Sequence, residues 1–227
     1  MSDENATGLT VFQQAMGLKE VDVNAVEREL SALGLSGSAF LGELRLVGFS
    51  GELVTDHNQR AGDFCYKRDK SVTALGKETD FIPLTYRVKA IDFNSLAVSF
   101  TPESSVFRDI HNRSAQANSN CATGPEFLVY IPTIGKFATY HLGSKSAQKG
   151  AMDLVKRLMK PVHAKSTLAE NAKKQKWFVP NFSDSAVAFD APEQEDAQEA
   201  LRLYESAKAR ETQAPPEANT SGNGREV

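Results

Sequence analysis

The chain is poor in cysteine and histidine, and no long apolar run interrupts it. Two thiols in 227 residues, Cys65 and Cys121, are too few for a disulfide framework and imply no oxidising compartment. No apolar stretch approaches the roughly 20 residues that cross a bilayer. The first ten residues, MSDENATGLT, are acidic and polar where an export signal would start basic and turn apolar, so an intracellular protein without a membrane partner is expected. A Walker-type glycine loop, a GxSxG elbow, an HExxH pair and a paired CxxC are all missing. No enzyme and no cofactor is therefore expected. His57, Cys65, His111 and Cys121 would make a zinc site only if the fold gathered four scattered residues. Asp80, Glu126 and Lys136 hint at a nuclease trio but lack the close spacing of a metal-dependent nuclease strand.

Charge is what the chain has in a pattern. The net charge is -3, yet residues 136–176 hold ten Lys or Arg against Asp153 and Glu170 alone. Residues 184–227 carry ten acidic and four basic residues, and the first 35 carry six and two. Acidic ends thus flank a basic interior, the asymmetry that matters for partners.

The clearest elements lie in that interior. Residues 127–131 and 136–142 are rich in aromatic and β-branched residues around a Pro132–Gly135 turn, which predicts a hairpin. Alternation puts Phe127, Val129 and Ile131 on one face and Leu128 and Tyr130 on the other; Phe137, Thr139 and His141 oppose Ala138, Tyr140 and Leu142. After Gly143 the period becomes helical, with Ala151, Leu154, Val155, Leu158 and Met159 as one stripe up to Pro161. Strands are also expected at 40–49, 52–55, 64–67, 81–93, 96–100, 177–181 and 186–189. Polar connectors are expected at 71–79 and 164–176, and helices at 22–34 and 105–110. On the strand around 86–89, Arg87 and Lys89 form a wet, basic side.

Short strands with few long helices predict a mainly β fold, a small antiparallel OB-like barrel with helical extensions at both ends. Residues 1–36 are expected to be an N-terminal helical extension, 37–190 the barrel core, and 191–227 an acidic tail, helical and then disordered in composition. Leu201, Leu203 and Tyr204 give that tail a slight apolar side for a partner or a second copy of the chain.

Cations interleaved with flat rings point to single-stranded nucleic acid, because lysines neutralise phosphates while rings stack on unpaired bases. The candidate binding residues are Tyr86, Arg87, Lys89, Lys136, Phe137, Tyr140, Lys145, Lys149, Lys173, Lys174, Lys176, Trp177 and Phe178. The strings LGKETDFIPLTYRVKAIDF, CATGPEFLVYIP and GKFATYHLGSKSA, with the lysine-bearing helix that follows, resemble single-stranded-DNA-binding proteins of tailed bacteriophages. The resemblance covers about residues 75–182. It implies an OB-type core that coats single-stranded DNA during phage replication and recombination in the host cytoplasm, often as an oligomer. It implies binding roles for Lys136, Phe137, Tyr140, Lys145 and Trp177. The chain departs from the pattern in finishing GNGREV where bacterial single-strand binders commonly carry a short acidic tip, so replication or recombination proteins are expected to be met through the acidic stretch before it. The competing reading is a phage structural or assembly protein whose basic patch meets an acidic protein.

Overall fold

The computed structural model describes residues 41–116, 119–189 and 192–209. The helix expected at 22–34 and the end of the tail lie outside them. The fold is mainly β. In chain order it runs β1 (Gly42–Leu46), α1 (Glu52–Thr55), β2 (Phe64–Arg68), β3 (Ser71–Gly76), β4 (Glu78–Asp92), β5 (Val98–Ser99), α2 (Ser105–Ser114), β6 (Cys121–Ile131) and β7 (Lys136–His141). Then come α3 (Lys145–Gln148), α4 (Ala151–Val155), β8 (Val162–Glu170), β9 (Lys176–Asp184) and α5 (Gln194–Ala209).

These strands form one nine-stranded mixed sheet in the order β3-β2-β1-β7-β6-β4-β8-β9, with β5 beside β4. The β1–β7 pair is parallel and the other pairs are antiparallel. Among the described residues no ladder joins β3 to β9, so the sheet is not closed into the expected barrel. The difference arises from two segments read as connectors, 71–79 and 164–176. Both contain strand, β3 and most of β8, and both lie toward the ends of the sheet where polar side chains face water. Strands were also expected at 52–55, which is helical, and at 186–189, which is not strand.

β4 organises the rest. Its first residues pair with β8, from Glu78↔Lys165 to Phe81↔Val162, and the remainder pairs with β6 as far as Asp92↔Cys121. The register shifts between Pro83 and Thr85. That bulge puts Leu84 and Tyr86, two positions apart, into different clusters on opposite faces.

The hairpin faces follow alternation as expected. Phe127, Val129 and Ile131 join Ala138, Tyr140 and Leu142 in the main core, together with Phe64, Phe81, Leu154 and Val162. Leu128 lies in a second cluster, against which Tyr130 and Phe137 pack. The single helix expected over 145–160 is broken into α3 and α4 at Gly150. A Cβ there would stand 2.8 Å from the Phe182 ring, so glycine lets that ring pack against the turn. The Ser144 hydroxyl accepts from the Ala147 amide at 3.2 Å and starts α3.

α5 belongs to the fold rather than to an appended tail. Ala197, Ala200, Leu201 and Tyr204 recur at i, i+3, i+4 and i+7 and bury against Leu84 and Leu128. The two alanines let the helix sit close, and burying a residue such as Leu201 contributes roughly 1.5–3 kcal/mol. Among the described residues no helix is long and apolar enough to cross a membrane.

Candidate nucleic-acid interface

The parallel ladder between β1 and β7 is short, ending at Glu43↔Thr139. Beyond it β1 keeps only β2 as a partner, as far as Leu46↔Phe64, while β7 follows β6 to His141↔Glu126. The two diverging strands line a cleft of about 1040 Å³, whose walls include residues 43–50, 139–147 and part of β9. Residues 89, 91 and 93, on and just after β4, also contribute.

Rings and cations share this cleft. Phe49 is 53% exposed and meets Phe178 at a centroid distance of 4.8 Å; Phe93 is 54% exposed. Gly62, at φ +89°, lies under Phe178, where a Cβ would stand 2.6 Å from the ring. Arg45, Lys89, Lys145 and Lys176 line the walls with Glu43 and Glu126. Arg45 lies 3.7 Å from Glu43, and Lys176 lies 3.6 Å from Glu170 on the same hairpin. Both pairs are exposed, so each contributes at most about 1 kcal/mol and leaves its cation available to a phosphate.

Glu126 is the one carboxylate enclosed there. It is 1% exposed and receives Lys89 Nζ at 2.6 Å and Arg87 Nη2 at 2.6 Å. Burial alone would raise its carboxyl, but Lys89 and Arg87 outweigh that and hold it below its usual value. The Arg87 guanidinium lies between the Phe100 and Tyr204 rings, 3.8 and 3.9 Å from their centroids, and donates to the Tyr204 carbonyl. Tyr204 in turn donates its hydroxyl to the Glu126 carbonyl at 2.6 Å. Two cations against one carboxylate leave this wall with a surplus positive charge.

The structure brings Lys89, Tyr140, Lys145, Lys176, Trp177 and Phe178 together on the cleft and places the other expected residues elsewhere. Tyr86 packs on Phe127, and Arg87 is taken up by Glu126 and Tyr204. The side expected to be wet and basic is thus a largely buried ion cluster, with Arg87 covered by Tyr204 of α5 and Lys89 reaching the cleft wall. Phe137 packs on Tyr130 in the α5 cluster. Lys136 borders a separate hollow of about 610 Å³ with Tyr66, Arg68 and Lys70. Lys149 is exposed after α3 and does not line the cleft, and Lys173 and Lys174 stand exposed at the β8–β9 turn. Tyr140 is only 3% exposed, so its ring cannot be a stacking platform. Phe49 and Phe93 have the exposed faces. Sequence reading passed over both, although Phe49 stands between Gly48 and Gly51, where little else could cover it.

The other sequence candidates are apart. Asp80 meets His163 at 3.1 Å, and Lys136 stands opposite Ile131, five positions along β6 from Glu126 and so roughly 17 Å away. Cys65 is buried with Val47 and Leu53, which pushes its thiol up to about 11. Among the described residues no group of three His, Cys, Asp or Glu could hold a metal ion.

Burial, and then Lys89, depresses His141 to about 4 from 6.5, against the smaller opposing effect of Glu126. Above pH 6.5 both folded and unfolded chains hold it neutral. As pH falls toward 4, the unfolded chain takes up a proton that the folded chain refuses, and stability is lost across that window. On the order of 2–3 kcal/mol should disappear between pH 7 and pH 4.5 in urea unfolding, and His141→Gln should abolish most of this dependence. The Glu126 carboxyl acts below that window, since its folded value lies under 4.5.

No protein-family model matches the chain, and no match to it is found among curated proteins or solved structures.

Proposed function

We propose that this protein binds single-stranded DNA in the cleft between β1, β7 and β9, without catalysis and with little regard for sequence over most of the tract. The reading rests on one observation: the exposed Phe49 and Phe93 rings, with Phe178 against Phe49, share an open cleft with Arg45, Lys89, Lys145 and Lys176. Rings supply stacking of roughly 1–3 kcal/mol per base, and cations supply phosphate neutralisation. The phage resemblance extends the proposal to coating exposed strands during replication and recombination in the host cytoplasm. Trp177, the single tryptophan, lines the cleft and reports on it. Titration with oligo-dT should quench its fluorescence saturably at low salt. The logarithm of the affinity should fall with the logarithm of salt by about 0.7 for each phosphate contacted. An unchanged emission at low ionic strength, with no gel shift of long homopolymers, would falsify the proposal.

A further inference from the structure

The hollow of about 610 Å³ that Lys136 borders lies apart from the cleft, and its walls are cationic. The two-residue turn Asp69–Lys70, with Asp69 in the left-handed region at φ +51°, joins β2 to β3 and sets Arg68 opposite Ser71 and Tyr66 opposite Thr73. Directly opposed residues share a face, here that of the main core, to which Tyr66 belongs. Lys136 stands on the same face of β7, two positions before Ala138. β1 lies between β2 and β7 and starts at Gly42, where a Cβ would stand 2.3 Å from the Tyr66 ring, so the bare glycine makes room for the ring that lines the hollow. Arg68 and the Gly42 backbone both hydrogen-bond the Tyr66 hydroxyl, which ties the guanidinium to this wall.

Three cations, Arg68, Lys70 and Lys136, thus converge from separate segments on a hollow lined by a single carboxylate, Asp69. Lys70 and Lys136 are exposed, and among the described residues neither has an ion-pair partner. Like charges gathered in this way repel one another, and a polyanion relieves the repulsion. The hydroxyls of Ser71 and Thr73 add neutral donors. What the hollow lacks is an exposed ring. Tyr66 is 7% exposed, so the hollow can hold a phosphate but gives a base nothing to stack on.

We propose that this hollow is a second, phosphate-only contact for the strand that occupies the cleft. The inference rests on the single-strand reading above and lengthens its tract. Lys136 in the hollow and His141 in the cleft are the two ends of β7, roughly 17 Å apart, a gap that about five nucleotides bridge at the 3.4 Å spacing of a stacked strand, and fewer when the strand is drawn out. A phosphodiester fits better than an acidic peptide. Peptide interfaces are anchored by buried apolar or aromatic side chains, and the hollow offers one half-buried aliphatic residue, Ile134.

The test measures affinity for oligo-dT of increasing length with the wild type and with the double variant Lys70→Glu, Lys136→Glu. Both lysines are exposed, so the melting temperature should hold within about 3 °C. An oligo-dT of about five nucleotides fills the cleft alone and should bind the two proteins within about twofold, since charges beyond about 10 Å are largely screened near 0.1 M salt. One of about twenty nucleotides should bind the variant at least about tenfold more weakly, with a salt slope shallower by about 1.4, two contacts at roughly 0.7 each. Poly-glutamate serves as the peptide-like polyanion. Equal losses for the short and long oligonucleotides, or no loss for either, would overturn the second contact. So would a loss confined to poly-glutamate, which would give the hollow to an acidic peptide. If the wild type binds no oligo-dT of any length, the single-strand reading itself fails, and the second contact falls with it.

Discussion

Glu126→Ala is expected to lower the free energy of unfolding by about 3–5 kcal/mol, the largest effect of any single substitution named here. The carboxylate is 1% exposed, and its removal strands Arg87 and Lys89, whose side chains are 13% and 17% exposed, beside a void. Arg87 cannot regain water without moving α5, because it is also held by the Tyr204 carbonyl and stacked on its ring. At about 2–4 °C per kcal/mol for a chain of this size, the melting temperature should drop by roughly 10 °C. Replacing all three charges together, as Arg87→Met, Lys89→Met and Glu126→Leu, should cost far less, since no unpaired charge is then buried. A loss under about 1 kcal/mol for Glu126→Ala would mean that the cluster is solvated and the cleft wall is built otherwise.

The second large effect is on binding. Reversing Arg45, Lys145 and Lys176 to Glu should weaken oligo-dT binding by at least about 100-fold near 0.1 M salt and flatten the salt slope by about 2, three contacts at roughly 0.7 each. The fold should tolerate the change, because all three side chains are exposed and the ion pairs of Arg45 and Lys176 are surface pairs. Reversing Lys173 and Lys174 is the matched control. They stand at the β8–β9 turn without lining the cleft, and their loss should change affinity only a few-fold. Equal losses from the two sets would move the interface away from the cleft and onto the hairpin tip.

How far the residues could be read in advance depended on whether the controlling contact was local. The two faces of β6 and β7 were legible because alternation is a property of the strand itself, and tertiary packing only chooses which face is which. The break at Gly150 was not. The apolar stripe starts only at Ala151, but the reason for the glycine is Phe182, 32 positions further along. Glu126 offered a signal that went unused: a lone acid in the apolar run PEFLVYI, with Arg87 and Lys89 two positions apart on another expected strand. Only the β4–β6 register, Arg87↔Glu126, turns that signal into a buried cluster. Charge with interleaved rings singled out Trp177 and Phe178, and both line the cleft. It could not separate Lys176, which lines the cleft, from Lys173 and Lys174, because that depends on a strand ending where the turn begins. Phe49 and Phe93 were missed for the opposite reason, since neither sits among the lysines of the 136–176 stretch.

The shared strand has one more consequence. β4 carries β8 and β9 on its first residues and β6, β7 and β1 on the rest, so the cleft walls bearing Trp177 and Tyr140 hang from opposite lengths of one ribbon. Strands coil about their own axis, and here the bulge at Pro83–Thr85 falls just inside the β6-paired length, next to the β8-paired one. A change of twist in β4 near the bulge would therefore alter the gap between the jaws without requiring any side chain on either jaw to repack.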